Sequence, residues 1–366
     1  MSMVMNEMVK IFQKEFDESW HAKQPLGLVS PYFPNTFNPS GGHDVAGPTM
    51  LNPNPQALTK FYTVERCFRD IDVGIVGLSH HLSYFEMLTF GACGFLQENR
   101  EVVKEVVDKM AHLLFEVFRL ERDKVFVAYF SGGKIASTFI PGPTDEELNI
   151  WRKHFQLHLI PVPGRRTFIY AAIEDWPAGP GFEIFYDRGD QFPETVRFIE
   201  IASINFYKYL NRSGSLHEAV NWAIGGGIGL ERLAMIVQQA PTIYDIDIFQ
   251  EIKKALDGRV NQEEMWLFRK SYNIVMDHLR AVIFILMDGQ RVDSTPRGKI
   301  LRRLMKRTAS QLAYVNLLDE SIIDTFYEKV TSIYECRFIQ LREQRDSIVG
   351  TIKNFLTREL GGEVNE

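Results

Sequence analysis

Residues 225–234 read GGGIGLERLA. Glycine lets a backbone approach another group closely, and a helix starting just after it would offer free N–H donors to an anion. Here Gly225, Gly226, Gly227 and Gly229 precede an apolar helical period, and Arg232 falls in its first turn. A guanidinium there can pair with a phosphate or lie flat on a base. Tight packing of a strand against a helix would use the same glycines. The stretch is no P-loop, because no lysine follows, and it does not match GxGxxG within a strand–helix–strand unit.

Outward from this stretch, the pattern alternates irregularly. Helical spacing is evident at 9–16, 98–120, 230–237 and 248–256, and short aromatic or β-branched runs at 61–95, 125–130, 167–172, 183–186 and 197–206 predict strands. Residues 31–55, rich in proline, glycine and asparagine, read as a long irregular run. From about residue 261 no strand signal remains, and the charge and apolar pattern predicts a long final helix over 321–360. Strands that do not alternate regularly with helices argue for a mixed or antiparallel sheet. The expected class is α+β: a catalytic domain over 1–258, then an all-helical domain over 259–366, divided near the turn Asp257-Gly258.

Composition narrows the functions. A net charge of −6, with 45% hydrophobic and 24% charged residues, excludes a disordered chain and a polycationic nucleic-acid coat. No apolar run approaches the roughly 20 residues that span a bilayer, and the N-terminus has no signal-peptide core. Three scattered cysteines suit neither a disulfide framework nor a CxxC metal site. A cytoplasmic protein with no membrane partner is expected; the oligomeric state is not legible.

Two further features carry chemistry. Cys67-Phe68-Arg69 and the run 80–87 (HHLSYFEM) read as the ends of an antiparallel hairpin, with Arg69 and Phe85 projecting from neighbouring strands. Adjacent His80 and His81 on a strand would face opposite ways, against a shared metal. Glu183 and Glu200 sit on separate strands in apolar surroundings, where an isolated carboxylate is costly unless paired or coordinated. Magnesium bound to phosphates would account for them, and so would salt bridges to arginines. Together these residues suggest a nucleotide site on an antiparallel sheet.

At this point an ordered set of motifs resembles the catalytic fragment of the alanyl-tRNA synthetase family, a class II aminoacyl-tRNA synthetase family, along nearly the whole chain. Residues 61–69 with 80–88 resemble its motif 2, a Cys-x-Arg strand followed by HHTFFEML. PGFEIFYDRG (180–189) is similar to GPCGPCSEIFYDHG, and GGGIGLERLA to motif 3, normally DTGMGLERLA and continued by YDIDIF (244–249). Residues 272–307 and 340–361 resemble the family's helical tRNA-recognition domain.

The resemblance implies a class II antiparallel sheet flanked by helices, ATP and Mg²⁺ as cofactors, and an amino acid and tRNA as partners. It implies that Arg69 binds the α-phosphate, that Phe85 and Arg232 sandwich adenine, and that Gly227 and Gly229 belong to the ATP site. Glu200, and with it Glu183, would hold Mg²⁺. The departures are informative. The family's aspartate for the substrate ammonium is Gly225, its Trp-Asn pair is Ala202-Ser203, and a nearby valine is Asn205, whereas Trp176 matches the family's pocket tryptophan. These changes imply a small substrate other than L-alanine, with Glu183 able to take the ammonium if a loop over 178–182 moves it inward. The residues that read the tRNA acceptor stem fall on Ser294 and Ser332, while Lys299, Arg302, Arg303, Lys306 and Arg307 would follow phosphates or form a solvated face. The chain ends at residue 366, so the editing and C-terminal domains are expected to be absent. The implied activity is amino-acid adenylation with transfer to a tRNA 3′ end, a carrier-protein thiol or a small amine. The alternative is a non-catalytic, tRNA-binding regulatory paralogue.

Overall fold

The computed structural model describes residues 4–78, 80–94, 100–155, 158–170 and 174–363. Its strands are β1 (His21–Ala22), β2 (Thr59–Phe68), β3 (Tyr84–Gly94), β4 (Val125–Phe130), β5 (Gly132–Ile135), β6 (Thr138–Pro141), β7 (Leu159–Val162), β8 (Phe168–Ile169), β9 (Trp176–Asp187), β10 (Phe198–Arg212) and β11 (Ser215–Gly229). Its α-helices are α1 (Met5–Lys14), α2 (His43–Leu51), α3 (Arg100–His112), α4 (Asp145–Phe155), α5 (Glu194–Arg197), α6 (Leu230–Val237), α7 (Asp247–Lys253), α8 (Gln262–Leu267), α9 (Arg269–Met287), α10 (Pro296–Tyr314), α11 (Glu320–Tyr334), α12 (Gln340–Glu343) and α13 (Arg345–Glu363).

Nine strands form one mixed sheet in the order β1-β2-β3-β11-β10-β9-β4-β7, with β8 beside β9. The run from β3 to β4 is antiparallel, and the parallel pairs are β1–β2 and β4–β7. This is the α+β class expected from the irregular alternation. One face packs helices: Ile184, Ile199, Ile204 and Ile228 are fully buried, and a side-chain carbon at Gly226 would meet Phe90 and Met110 of α3. No helix among the described residues is long and apolar enough to cross a membrane.

Contacts group the chain into two compact units that interleave in sequence. The first comprises Met1–Pro25, Ser40–Glu65 and Glu86–Gln238, the second Leu26–Pro39, Arg66–Phe85 and Gln239–Glu366. The turn at Gly258, which has a positive φ of 74°, lies inside the second unit.

Several local expectations are corrected. The run 31–55 is not wholly irregular, because His43–Leu51 forms α2 despite Pro48 within it. An interior proline costs about 3 kcal/mol. Burial of Met50 recovers roughly 1.5–3 kcal/mol of that, and Ala46 packs beside it on Cys93, Leu210, Ala219 and Ala223. The helix over 321–360 is broken at 335–339 and 344. Tyr334 and Phe338 turn edge-on to Phe284, and the Tyr327 hydroxyl donates to the Leu341 carbonyl at 2.5 Å. Arg345 then pairs with Asp324, and Thr357 with Glu320, so α13 runs back along α11. Of the helix over 98–120, α3 and a π-turn at Leu113–Val117 are formed, and residues 98–99 lie outside the described residues. The strand over 167–172 is reduced to Phe168–Ile169, with 171–172 likewise outside them.

Candidate functional site

In the first unit the residues with functional potential line up across strands. Directly opposed residues of antiparallel strands share a face. The register places Glu183, Ser203, Gly227 and Thr89 in one row across β9, β10, β11 and β3, and Gly181, Asn205, Gly225 and Gly91 in the next. Glu200 lies opposite Phe185 on β9, two residues along from Glu183 and on the same face. Residues 178–182 are part of β9 and not a loop, and the irregularity sits instead in β10 as a register shift between Asn205 and Tyr209. Ala202 does not join the rows. It is opposite Ile184 and Ile228 and buried with them on the helix-packed face.

The three consecutive glycines separate into two roles. A side-chain carbon at Gly226 would sit 2.9 Å from Phe90, and one at Gly227 2.4 Å from the Met87 methyl. Those two are packing positions. At Gly225 the nearest atom would be Tyr207 Cε2 at 3.9 Å, which leaves ordinary room for a side chain. Beyond Gly229 the chain enters α6, and Arg232 reaches back to donate from Nη1 to the Glu200 carbonyl at 2.9 Å, with Glu200 Oε2 at 3.4 Å. The salt bridge foreseen as one account of Glu200 is thus present.

Glu183 is held by burial, and secondarily by the neighbouring Glu200, with its pKa pushed up to about 7; Arg166 opposes the shift. Two adjacent carboxylates are hard oxygen donors of the kind that bind Mg²⁺ together with phosphate oxygens and water, so the donor chemistry fits that ion. No group of three or more His, Cys, Asp or Glu suited to a metal occurs among the described residues. The raised pKa also makes a stability prediction. The native carboxyl holds its proton between its ordinary value of 4.5 and about 7, whereas the unfolded one has lost it, so stability falls as pH rises through that window. Glu183→Gln is therefore expected to melt higher than wild type at pH 8 in magnesium-free buffer. The two melting curves should converge near pH 4.5, and equal melting temperatures at pH 8 would refute the placement.

Three residues on this side escaped the sequence reading. Tyr207 lies two residues beyond Asn205, is hydrogen-bonded to it, and is pushed up to about 12 by burial. Period-two alternation along 203–207 was the available signal. His43, at the start of α2, is 5.5 Å from the Trp176 ring centroid and bonds Ser40 Oγ at 2.7 Å. Burial drives its pKa down to about 4, so it is neutral near pH 7. Met87 covers Gly227, as described above. Neither His43 nor Met87 had a local signal, because an irregular loop and an apolar strand both look unremarkable in sequence. Asn205 Nδ2 also approaches Ser203 Oγ at 3.4 Å.

In the second unit Arg69 follows β2 directly, and its guanidinium lies 4.9 Å from the Phe85 ring centroid. Its amide donates to the Ser83 carbonyl at 2.9 Å and its Nε to the Pro39 carbonyl at 3.2 Å. Its Nη groups make no hydrogen bond among the described residues, which leaves both prongs of the fork available to an anion. Arg69 lies beside Phe85, but just beyond the end of β2 and not on a strand as expected, and the histidines are not on a strand either. His80 and His81 precede β3, and their rings touch at 4.2 Å.

The basic face of α10 is only partly open. Lys299 and Arg302 are exposed, as is Ser294 before the helix. Arg303 pairs with Asp70, Lys306 with Glu359 at 3.2 Å, and Arg307 donates to the Val73 carbonyl. Ser332 is exposed on α11 and donates to the Lys329 carbonyl.

Comparison with known proteins identifies a family. The sequence model of the family described as "tRNA synthetases class II (A)" matches residues 47–358. The alanine–tRNA ligase of Malacoplasma penetrans is 29% identical over 82% of this chain and 33% of its own length. That of Synechococcus elongatus is 26% identical over 97% and 40%, and the cytoplasmic enzyme of Dictyostelium discoideum 28% over 83% and 35%. The chain thus spans about a third of the length of such relatives. Among solved structures, S. aureus histidyl-tRNA synthetase has 15% identity and a TM-score of 0.38 over 64% of this chain and 69% of its own. A putative threonyl-tRNA synthetase from Aeropyrum pernix has 12% and 0.40 over 68% and 67%.

Proposed function

The chain belongs to the class II tRNA synthetase family, and on that premise we propose that it activates a small amino acid with ATP and passes the acyl group on. The observation that carries this reading is Arg69, stacked on Phe85 with its Nη groups unengaged among the described residues. In the first step a substrate carboxylate oxygen attacks the α-phosphorus, the bond to the bridging oxygen breaks, and pyrophosphate leaves with the electron pair. The carboxylate is already ionised, so no general base is required. Arg69 is assigned the α-phosphate, where its fixed charge meets the charge that develops in the transition state. Phe85 and Arg232 are assigned the adenine, and the backbone at Gly227 and Gly229 borders the nucleotide. When bound to Glu200 and Glu183, Mg²⁺ supplies charge neutralisation to the triphosphate. Otherwise the protein works by positioning.

The amino-acid side of the site comprises Glu183, Ser203, Asn205, Gly225 and Trp176, with Tyr207 and His43 joining it. Gly225 leaves an α-ammonium without the family's carboxylate, so the substrate is a β-amino acid or a larger polar amino acid, and not L-alanine. Residues 1–258 carry activation and 259–366 the acceptor RNA, in the cytoplasm, with a carrier-protein thiol or small amine as other possible acceptors. ATP–pyrophosphate exchange across a panel of amino acids tests the reading. Exchange with a subset of them is expected, and silence with all of them would favour a tRNA-binding regulatory protein.

For the acceptor, Lys299 and Arg302 are expected to contact phosphates without reading sequence. Filter binding of an alanine tRNA transcript should weaken steeply with salt, and each of Lys299→Ala and Arg302→Ala should lower the log–log slope by about 1. Changing the acceptor-stem G·U pair should leave affinity unaltered, given Ser294 and Ser332. A G·U-dependent affinity would contradict this assignment.

A further inference from the structure

Besides its internal Arg69–Ser83 and Arg69–Phe85 contacts, the segment Arg66–Phe85 is anchored within the second unit by residues outside it. At its near end Arg66 pairs with Asp288 at 2.9 Å and lies over the rings of Phe284 and Phe338. Along its middle, the Gly77 amide donates to the Tyr244 hydroxyl at 3.1 Å, and Asn273 donates to the Gly77 carbonyl at 2.8 Å. At its far end the Ser83 amide donates to Asp277 Oδ1 at 2.9 Å, and the Ser83 hydroxyl donates to the other carboxylate oxygen. Arg280 Nη2 donates to the Tyr84 carbonyl at 2.5 Å, and Nη1 to the Tyr334 hydroxyl at 3.0 Å. The Tyr84 ring stacks parallel on Phe284 at 4.6 Å.

Asp277, His278 and Arg280 are wholly buried on α9. Charged groups there persist only where hydrogen bonds offset their desolvation. Asp277 offsets it through Ser83 and through His278 Nδ1 at 2.8 Å, and Arg280 through Tyr84 and Tyr334. Ser83 is also the residue whose carbonyl receives the Arg69 amide. The chain of bonds therefore runs from an α9 carboxylate, through one serine, to the backbone of Arg69. Phe85, which carries the Arg69 guanidinium, is two residues along from that serine.

We propose that Asp277 and Arg280 are positioning residues that hold the Arg69–Phe85 pair in register for the activation step. This rests on the phosphate role given to Arg69 above. It makes α9, whose helix lies in the region assigned to the acceptor RNA, a determinant of adenylation rate. A loosened Ser83 releases the Arg69 amide and lets the guanidinium leave the ring, and catalytic geometry tolerates little of that.

The test uses the full chain with Asp277→Asn, Ser83→Ala and, as conservative controls, Asp277→Glu and Ser83→Thr. Hydrogen–deuterium exchange is read on peptides covering 66–85 and, for comparison, on β10 and β11. Asp277→Asn and Ser83→Ala are expected to speed exchange at 66–85 at least tenfold with the comparison peptides unchanged. Pyrophosphate exchange with β-alanine as probe is expected to show kcat reduced ten- to a hundredfold, KM for β-alanine within twofold, and recovery in Ser83→Thr. In an Arg69→Ala background, Asp277→Asn should add less than twofold, because it acts through the residue already removed. Unchanged exchange at 66–85, or full multiplicative loss in the double variant, would overturn the proposal. If Asp277→Asn does not fold, Ser83→Ala, which deletes only one hydroxyl, decides the same point. A wild-type chain silent in pyrophosphate exchange strikes the proposed function instead, and the deuterium measurement still decides whether α9 holds the segment.

Discussion

Arg69→Ala is expected to lower ATP–pyrophosphate exchange by two to three decades, with thermal stability little altered. The guanidinium stacks on Phe85 and is steadied by one bond from Nε to the Pro39 carbonyl, so it is fixed before substrate arrives. A preorganised donor aimed at developing charge is worth about 2.7–4 kcal/mol when removed. Arg69→Lys should recover only part of the loss, since an ammonium keeps the charge but not the planar fork that stacks and bonds at once. The measurement is steady-state pyrophosphate exchange alongside a melting curve. Wild-type rates in Arg69→Ala would remove the phosphate role from this residue.

The second large effect concerns substrate choice. Wild type is expected to activate β-alanine or a larger polar amino acid in preference to L-alanine, and Gly225→Asp to shift that preference back. Gly225 lies opposite Asn205 and Gly91 in the row across the sheet. It is the one glycine of the three where a side chain meets nothing closer than 3.9 Å. The aspartate therefore fits without disturbing Met87 or Phe90. A charge-assisted hydrogen bond to an ammonium contributes about 1.5–3 kcal/mol. The ratio of L-alanine to β-alanine exchange should then rise by roughly one to two decades. A wild-type preference for L-alanine would falsify this reading and would point to Glu183 as the group that receives the ammonium. Gly226→Asp is a useful contrast, since its side chain would meet the buried Phe90 ring at 2.9 Å on the helix-packed face and should cost stability instead of changing selectivity.

Much of the site was legible because its signals are local. Arg232 follows a glycine run into a helix, Arg69 and Phe85 bracket one hairpin, and paired carboxylates in apolar strands stand out whatever the fold. The order of motifs along the chain was legible for the same reason. Some features failed because the deciding contacts are distant. Ala202, standing where the resemblance implies a substrate-pocket residue smaller than the family's tryptophan, is turned to the helix-packed face by strand alternation and the register with Ile184 and Ile228. Arg303, Lys306 and Arg307 looked like one basic face, but each has a partner far away in sequence, at Asp70, Glu359 and Val73.

Local sequence sufficed for the class of the sheet, the all-helical end, and the residue types proposed to meet a nucleotide. Periodicity and motif spacing are properties of neighbouring residues and need no tertiary information. The tertiary structure alone decided that Pro48 sits in a helix, that the final helix breaks at Tyr334 and Phe338, and that Gly225 is open while Gly226 and Gly227 are packed. It alone joined Ser83 to Asp277, 194 residues apart. Each of these depends on which distant side chain fills the space or meets the polar group, and burial energies of a few kcal/mol override local preference wherever such a partner arrives.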